Sequence, residues 1–131
     1  MGLYTRYKCR DCRFEAELGG PEEFYIDAEG KRQFYGHPVP VSEEAVERGI
    51  AGFWLRLWCD ECRREREVVI AEFDTPRQRP SEAWGDLQID QAAGVEPKCP
   101  KCGSKQLREV LDDDTCPRCA KGRLQAQRMR T

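Results

Sequence analysis

The chain has a single histidine, His37, so it is poor in the side chain that most often serves as a general base near neutral pH. That histidine stands in Gly36-His37-Pro38, where the proline forces its predecessor into an extended conformation, and it reads as a loop residue. Long apolar runs are missing as well. Hydrophobic residues make up 39% of 131 residues, and mean hydropathy is −0.79. No stretch approaches the roughly 20 apolar residues of a membrane-spanning helix. Met1 to Tyr7 lack the apolar segment of an export signal, so the expected address is cytoplasmic. Finally, no cysteine lies outside a Cys-x-x-Cys pair, which leaves no spare thiol for nucleophilic catalysis.

What is there in quantity is those pairs. Cys9 and Cys12, Cys59 and Cys62, Cys99 and Cys102, and Cys116 and Cys119 account for all eight cysteines. Two residues between thiols let a tight turn aim both sulfurs at one ion, so eight thiols amount to two tetrahedral four-sulfur metal sites. In a reducing compartment such pairs read as metal ligands rather than disulfides. The expected cofactor is zinc, two structural ions per chain. Catalytic zinc keeps a position open for water, which eight thiolates on two ions do not, so the expectation is a protein that is not an enzyme.

The remaining sequence reads as mainly β. Leu3 to Tyr7 alternates bulky and polar residues into the first pair, and Phe14, Ala16 and Leu18 continue the alternation until Gly19-Gly20-Pro21 ends the strand. Phe24 to Ile26 and Gln33 to Tyr35 flank a turn in which Gly30 can supply a positive φ, a short hairpin. Ser42 caps a two-turn helix with Glu43 and Glu44 in its first turn, ended by Gly49 or Gly52. Phe53 to Trp58 and Val68 to Phe73 lead into and out of the second cysteine pair as strands. Pro76, Pro80, Gly85, Gly94 and Pro97 break up residues 74–97, read as a linker that Trp84, Leu87 and Ile89 could dock. Beyond it, Gln106 to Leu111, a turn at Asp112 to Asp114, and a strand from Arg123 towards Met129 complete a compact unit.

Spacing suggests how the pairs combine. The gaps between them are 46, 36 and 13 residues. The shortest is just enough for a strand and its return, so Cys99, Cys102, Cys116 and Cys119 are expected to share one ion, leaving Cys9, Cys12, Cys59 and Cys62 the other. An interleaved cross-brace is the alternative. Cys99-Pro100-Lys101-Cys102-Gly103 with Cys116-Pro117-Arg118-Cys119 resembles the two knuckles of a zinc ribbon, over residues 98–125. The resemblance implies a small antiparallel sheet clipped by structural zinc, and it names no task, because the superfamily serves many processes. Rubredoxin, an iron electron carrier, resembles the same pattern. Glycine follows only Cys102; Arg13, Arg63 and Ala120 stand in the corresponding places, where left-handed backbone would cost about 1 kcal/mol.

The expected organisation is thus two zinc-ribbon-type antiparallel sheets: residues 1–73 with an inserted hairpin and helix, a linker over 74–97, and a ribbon over 98–131. Formal charge is −2 overall, but residues 98–131 carry nine Lys and Arg against four Asp and Glu. Basic residues crowd the knuckles, where four thiolates on a divalent ion carry −2 and attract cations. Arg123, Arg128 and Arg130 lie beyond that influence and are candidates for nucleic-acid contact. The favoured function is an accessory or adaptor subunit acting through protein contacts; nucleic-acid binding by the C-terminal ribbon comes second.

Overall fold

The structure is a computed structural model that describes residues 3–35, 42–89 and 94–128. His37 and Arg130 lie outside the described residues. The chain is mainly β, with strands β1 (Leu3–Cys9), β2 (Glu15–Ile26), β3 (Arg32–Phe34), β4 (Ile50–Cys59), β5 (Arg64–Arg77), β6 (Leu107–Arg108) and β7 (Leu124–Arg128). Helices α1 (Glu43–Arg48) and α2 (Pro80–Ile89) complete the elements. All seven strands belong to one antiparallel sheet of order β5-β4-β2-β1-β7, with β3 paired to β2 and β6 to β4.

The alternation in the sequence builds these strands as expected. Ala16 and Leu18 point one way from β2 and are buried, and the hairpin pairs Phe24 with Phe34 around a turn where Gly30 has φ 80°. The Asp27 carboxylate accepts from the backbone N–H of Glu29 and Lys31 and from Gln33, which holds it below the usual carboxylate range. Ser42 caps α1 through Ala45 N at 3.1 Å, and Gly49 ends it with φ 82°.

Gly19-Gly20-Pro21 does not end the second strand. It shifts the register of β2 against β4 between Gly19 and Glu22, and β2 then runs on to Ile26. A Cβ at Gly20 would stand 3.2 Å from the Trp54 carbonyl oxygen, so the glycine permits a close approach to β4.

Residues 74–97 are not a plain linker. β5 continues to Arg77 with Pro76 near its end, and Pro80 opens α2, where a missing N–H costs nothing. Trp84 docks that helix, with its ring 4.6 Å from Phe53 and its indole N–H 2.7 Å from Glu23 Oε2. Leu87 packs beside it against Ile50, Phe53, Ala71 and Phe73. The buried Glu23 carboxylate also accepts from the Tyr35 hydroxyl at 3.0 Å, so one side chain ties the hairpin to α2.

Nor do the segments before and after that stretch form separate sheets. β7 pairs with β1, placing Cys9 opposite Leu124, and β6 pairs with the end of β4, placing Cys59 opposite Leu107. The expected strand over 106–111 shortens to two residues, Leu107 opposite Cys59 and Arg108 opposite Trp58.

Candidate metal centres

The cysteines gather in two groups of four that could hold metal ions. Cys9 and Cys12 join Cys116 and Cys119, while Cys59 and Cys62 join Cys99 and Cys102. This nested arrangement corrects both the expected pairing of neighbours and its cross-braced alternative. The physical reason lies in loop entropy: enlarging a closed loop from 13 residues to 104, the separation of Cys12 and Cys116, is three doublings and costs about 2 kcal/mol. Binding of a structural zinc is worth about 10 kcal/mol or more. Sheet pairing therefore decides which knuckles meet.

Within each group the sulfurs stand apart by a metal's dimensions. Cys9 and Cys119 are 3.7 Å apart, Cys12 and Cys116 3.8 Å, Cys59 and Cys102 3.7 Å, and Cys62 and Cys99 3.7 Å. A tetrahedron with bonds of about 2.3 Å has edges of about 3.8 Å. A disulfide would need about 2.05 Å.

The two groups are built to one plan that the sequence does not display. Arg10 N bonds Arg123 O at 3.2 Å and Asp60 N bonds Gln106 O at 3.0 Å; each acceptor is the fourth residue after the last cysteine of its knuckle. The pairs Cys9 with Leu124 and Cys59 with Leu107 follow at the fifth. In each case a long strand delivers the first knuckle, and the second knuckle returns antiparallel beside it.

Turn chemistry supports the sulfurs as acceptors. Backbone N–H groups of Asp11, Phe14, Cys62, Arg118 and Gly122 lie 3.3 or 3.4 Å from Cys9, Cys12, Cys59, Cys116 and Cys119 Sγ, respectively. Arg63, Gly103 and Ala120 take φ 56°, 74° and 59°, and their N–H groups bond the carbonyls of Cys59, Cys99 and Cys116. Two of these positions adopt the left-handed turn despite a side chain. Arg13 does not, and in the first knuckle the bond runs from Cys9 N to Phe14 O at 3.1 Å.

Crowded thiols cannot all ionise without a cation, and the titration pattern shows the conflict. The amides of Gly122 and Lys121 lower Cys119 to about 6, outweighing burial. Burial opposes ionisation of Cys99, yet the amides of Cys102 and Lys101 bring it down to about 6. Phe14 N–H favours the Cys12 thiolate, but burial and the other three sulfurs push it up to about 12; Cys102, bonded by Ser104, rises to about 12 for the same reason. A divalent ion at the centre of each group would remove that repulsion.

The other expected site residues fare differently. Arg123 lies exposed beside the β7 end and donates to the Asp113 carbonyl at 3.3 Å. Arg128 contributes backbone to β7, opposite Thr5, and its side chain lies outside the described residues, as does all of Arg130. Asp112 to Asp114 form a turn with hydrogen bonds of their own, Asp114 to Leu111 N and Asp112 to Ala126 N. Of the aromatics, Phe24, Phe53, Trp54 and Trp58 are buried in the core. No helix among the described residues is long and apolar enough to cross a membrane. No family model, no curated protein and no solved structure matches the chain.

Proposed function

We propose that this is a non-catalytic protein with two structural zinc ions, serving as an accessory or adaptor subunit through protein contacts. The observation that carries the reading is the pair of four-sulfur tetrahedra. Each would offer four thiolates to a zinc ion and leave no position for water or substrate, so the metal's work would be to fasten strands. The knuckles resemble those of zinc ribbons, although here each ion would join knuckles distant in the chain. Supporting the contact role, a broad open concavity of about 1280 Å3 runs along the sheet from the hairpin to the third knuckle. Phe34, Val69, Phe73 and Val95 line it, with charged residues around them. A partner's polypeptide would suit that breadth better than a small metabolite.

Elemental analysis of protein purified without chelator tests the metal. Two zinc per chain and a colourless solution are expected. Four thiolates suit iron equally, so a red protein stoichiometric in iron would replace this reading with an electron carrier. Affinity purification from the source cell, with and without nuclease, tests the role: a stoichiometric protein partner that survives nuclease is expected. Recovery of nucleic acid alone would favour the second reading.

A further inference from the structure

Between the two cysteine groups lies a smaller concavity of about 400 Å3 whose lining is unusually rich in arginine. Arg13 and Arg63 follow the first and second knuckles, Arg64 and Arg66 begin β5, and Arg118 sits inside the fourth knuckle. The two sides are tied across it by Arg63 Nη2 to the Arg118 carbonyl at 2.8 Å. Phe14 and Trp58 also line it, packed edge to face at 5.0 Å. Glu15 and Glu65 are the carboxylates present; Glu15 is paired with Arg6 at 3.2 Å, and Glu65 accepts from Glu17 N at 2.7 Å.

Two features set this place apart from a solvated basic face. The first is a buried donor without an acceptor. Trp58 is 4% exposed, and its indole N–H has no hydrogen-bond partner, nor has the buried Nε of Arg66. The chain's other two tryptophans both satisfy theirs, Trp54 on the Glu23 carbonyl at 2.9 Å and Trp84 on the Glu23 carboxylate. Leaving such a donor unpaired costs about 1 to 3 kcal/mol, which marks the packing around the concavity as incomplete. The second is that the arginines lack carboxylate partners, although the thiolates beside them attract cations too. Arg66 meets the sulfurs of Cys62 and Cys99. Among the described residues, none of the five forms an ion pair with a carboxylate.

We propose that this concavity binds a phosphate group, with the guanidinium groups of Arg13, Arg64, Arg66 and Arg118 as its walls and Trp58 as the neighbouring ring that senses its occupancy. Guanidinium forks match the several oxygens of a phosphate, and five arginines against two carboxylates give a net positive lining that suits a dianion or phosphodiester better than a single carboxylate. The rings of Phe14 and Trp58 are too deeply buried to stack on a base, so recognition is of the phosphate and not of nucleobase identity. The site is distinct from the tail arginines and does not depend on the adaptor reading. Because its walls belong to knuckles of both groups, loss of either metal should disturb it.

The test uses the intact, zinc-loaded chain and nitrogen-15 NMR of the three indole N–H groups, with Trp58→Phe to assign the resonance. Inorganic phosphate and a short single-stranded oligothymidylate are titrated separately at low salt. A saturable shift of the Trp58 N–H is expected as its surroundings change, with the Trp54 and Trp84 signals still. Saturation by inorganic phosphate identifies a small anion as sufficient; saturation by the strand alone, weakening steeply with salt, identifies a polynucleotide backbone. Either result upholds the site. Arg13→Gln and Arg64→Gln should each weaken binding about tenfold or more with zinc content unchanged. If neither probe moves the Trp58 resonance, or if both variants bind as the parent does, the proposal is overturned.

Discussion

Gly122 shows how closely the backbone approaches a metal ligand. A Cβ built there would stand 2.5 Å from Cys9 Sγ and 3.0 Å from the Asp11 side chain, while the glycine N–H supports Cys119 Sγ at 3.3 Å. Gly122→Ala should therefore displace the Cys9 sulfur, and after a mild chelator challenge the zinc content should fall from two per chain towards one. Gly103 provides the contrast, since its φ is 74° but a Cβ there meets nothing within 4 Å. Gly103→Ala should cost about 1 kcal/mol of backbone strain and keep both ions. Elemental analysis of the two variants compares a steric effect on the ligand with a conformational effect on the turn; equal zinc loss in both would discredit the packing around Cys9.

At the scale of elements, the nested pairing makes a forecast that the pairing of neighbours does not. Cys59 stands on β4 and shares its site with Cys99 and Cys102, which β6 holds against the end of that strand. Cys59→Ser should expose Cys62, Cys99 and Cys102 to a thiol reagent together, while Cys9, Cys12, Cys116 and Cys119 stay protected. Peptide mapping of the labelled sites by mass spectrometry reads the outcome. Labelling of Cys9, Cys12 and Cys62 as one set would instead restore the pairing of neighbours. The strands and the hairpin themselves were readable from alternation and turn residues, because period-two patterning and Gly30 act locally. Gly19-Gly20-Pro21 misled for the opposite reason: its meaning depends on how close β4 comes, and that is a tertiary fact.

Over the whole molecule, α2 decides how residues 74–97 behave. Trp84 buries its ring against Phe53 and satisfies one oxygen of the buried Glu23, so the helix should resist protease as long as the sheet stands. Limited proteolysis of the zinc-loaded protein should leave residues 80–89 uncut until chelator is added. Trp84→Ala should open the same stretch with metal bound and lower unfolding stability by about 3 kcal/mol, through lost burial and an unpaired Glu23 oxygen. Early cleavage between 80 and 89 in the parent protein would show that the helix does not dock. Removing both ions should loosen the two ends of the chain together, because β7 is held beside β1 at the same place where Cys9 meets Cys119.

What the amino-acid sequence determined by itself was the chemistry: eight sulfurs in four turns, a count sufficient for two metal ions, and the β character of the strands that carry them. These are properties of residue type and of spacing within a few positions. Only the tertiary structure decided which turns come together, that 80–89 is a docked helix, and that five arginines from three stretches of the chain surround one concavity with Trp58. Each of those outcomes follows from which strand lies beside which. The reason is the weak dependence of loop closure on length, which leaves sheet pairing, worth far more over its many hydrogen bonds and buried rings, to choose the partners.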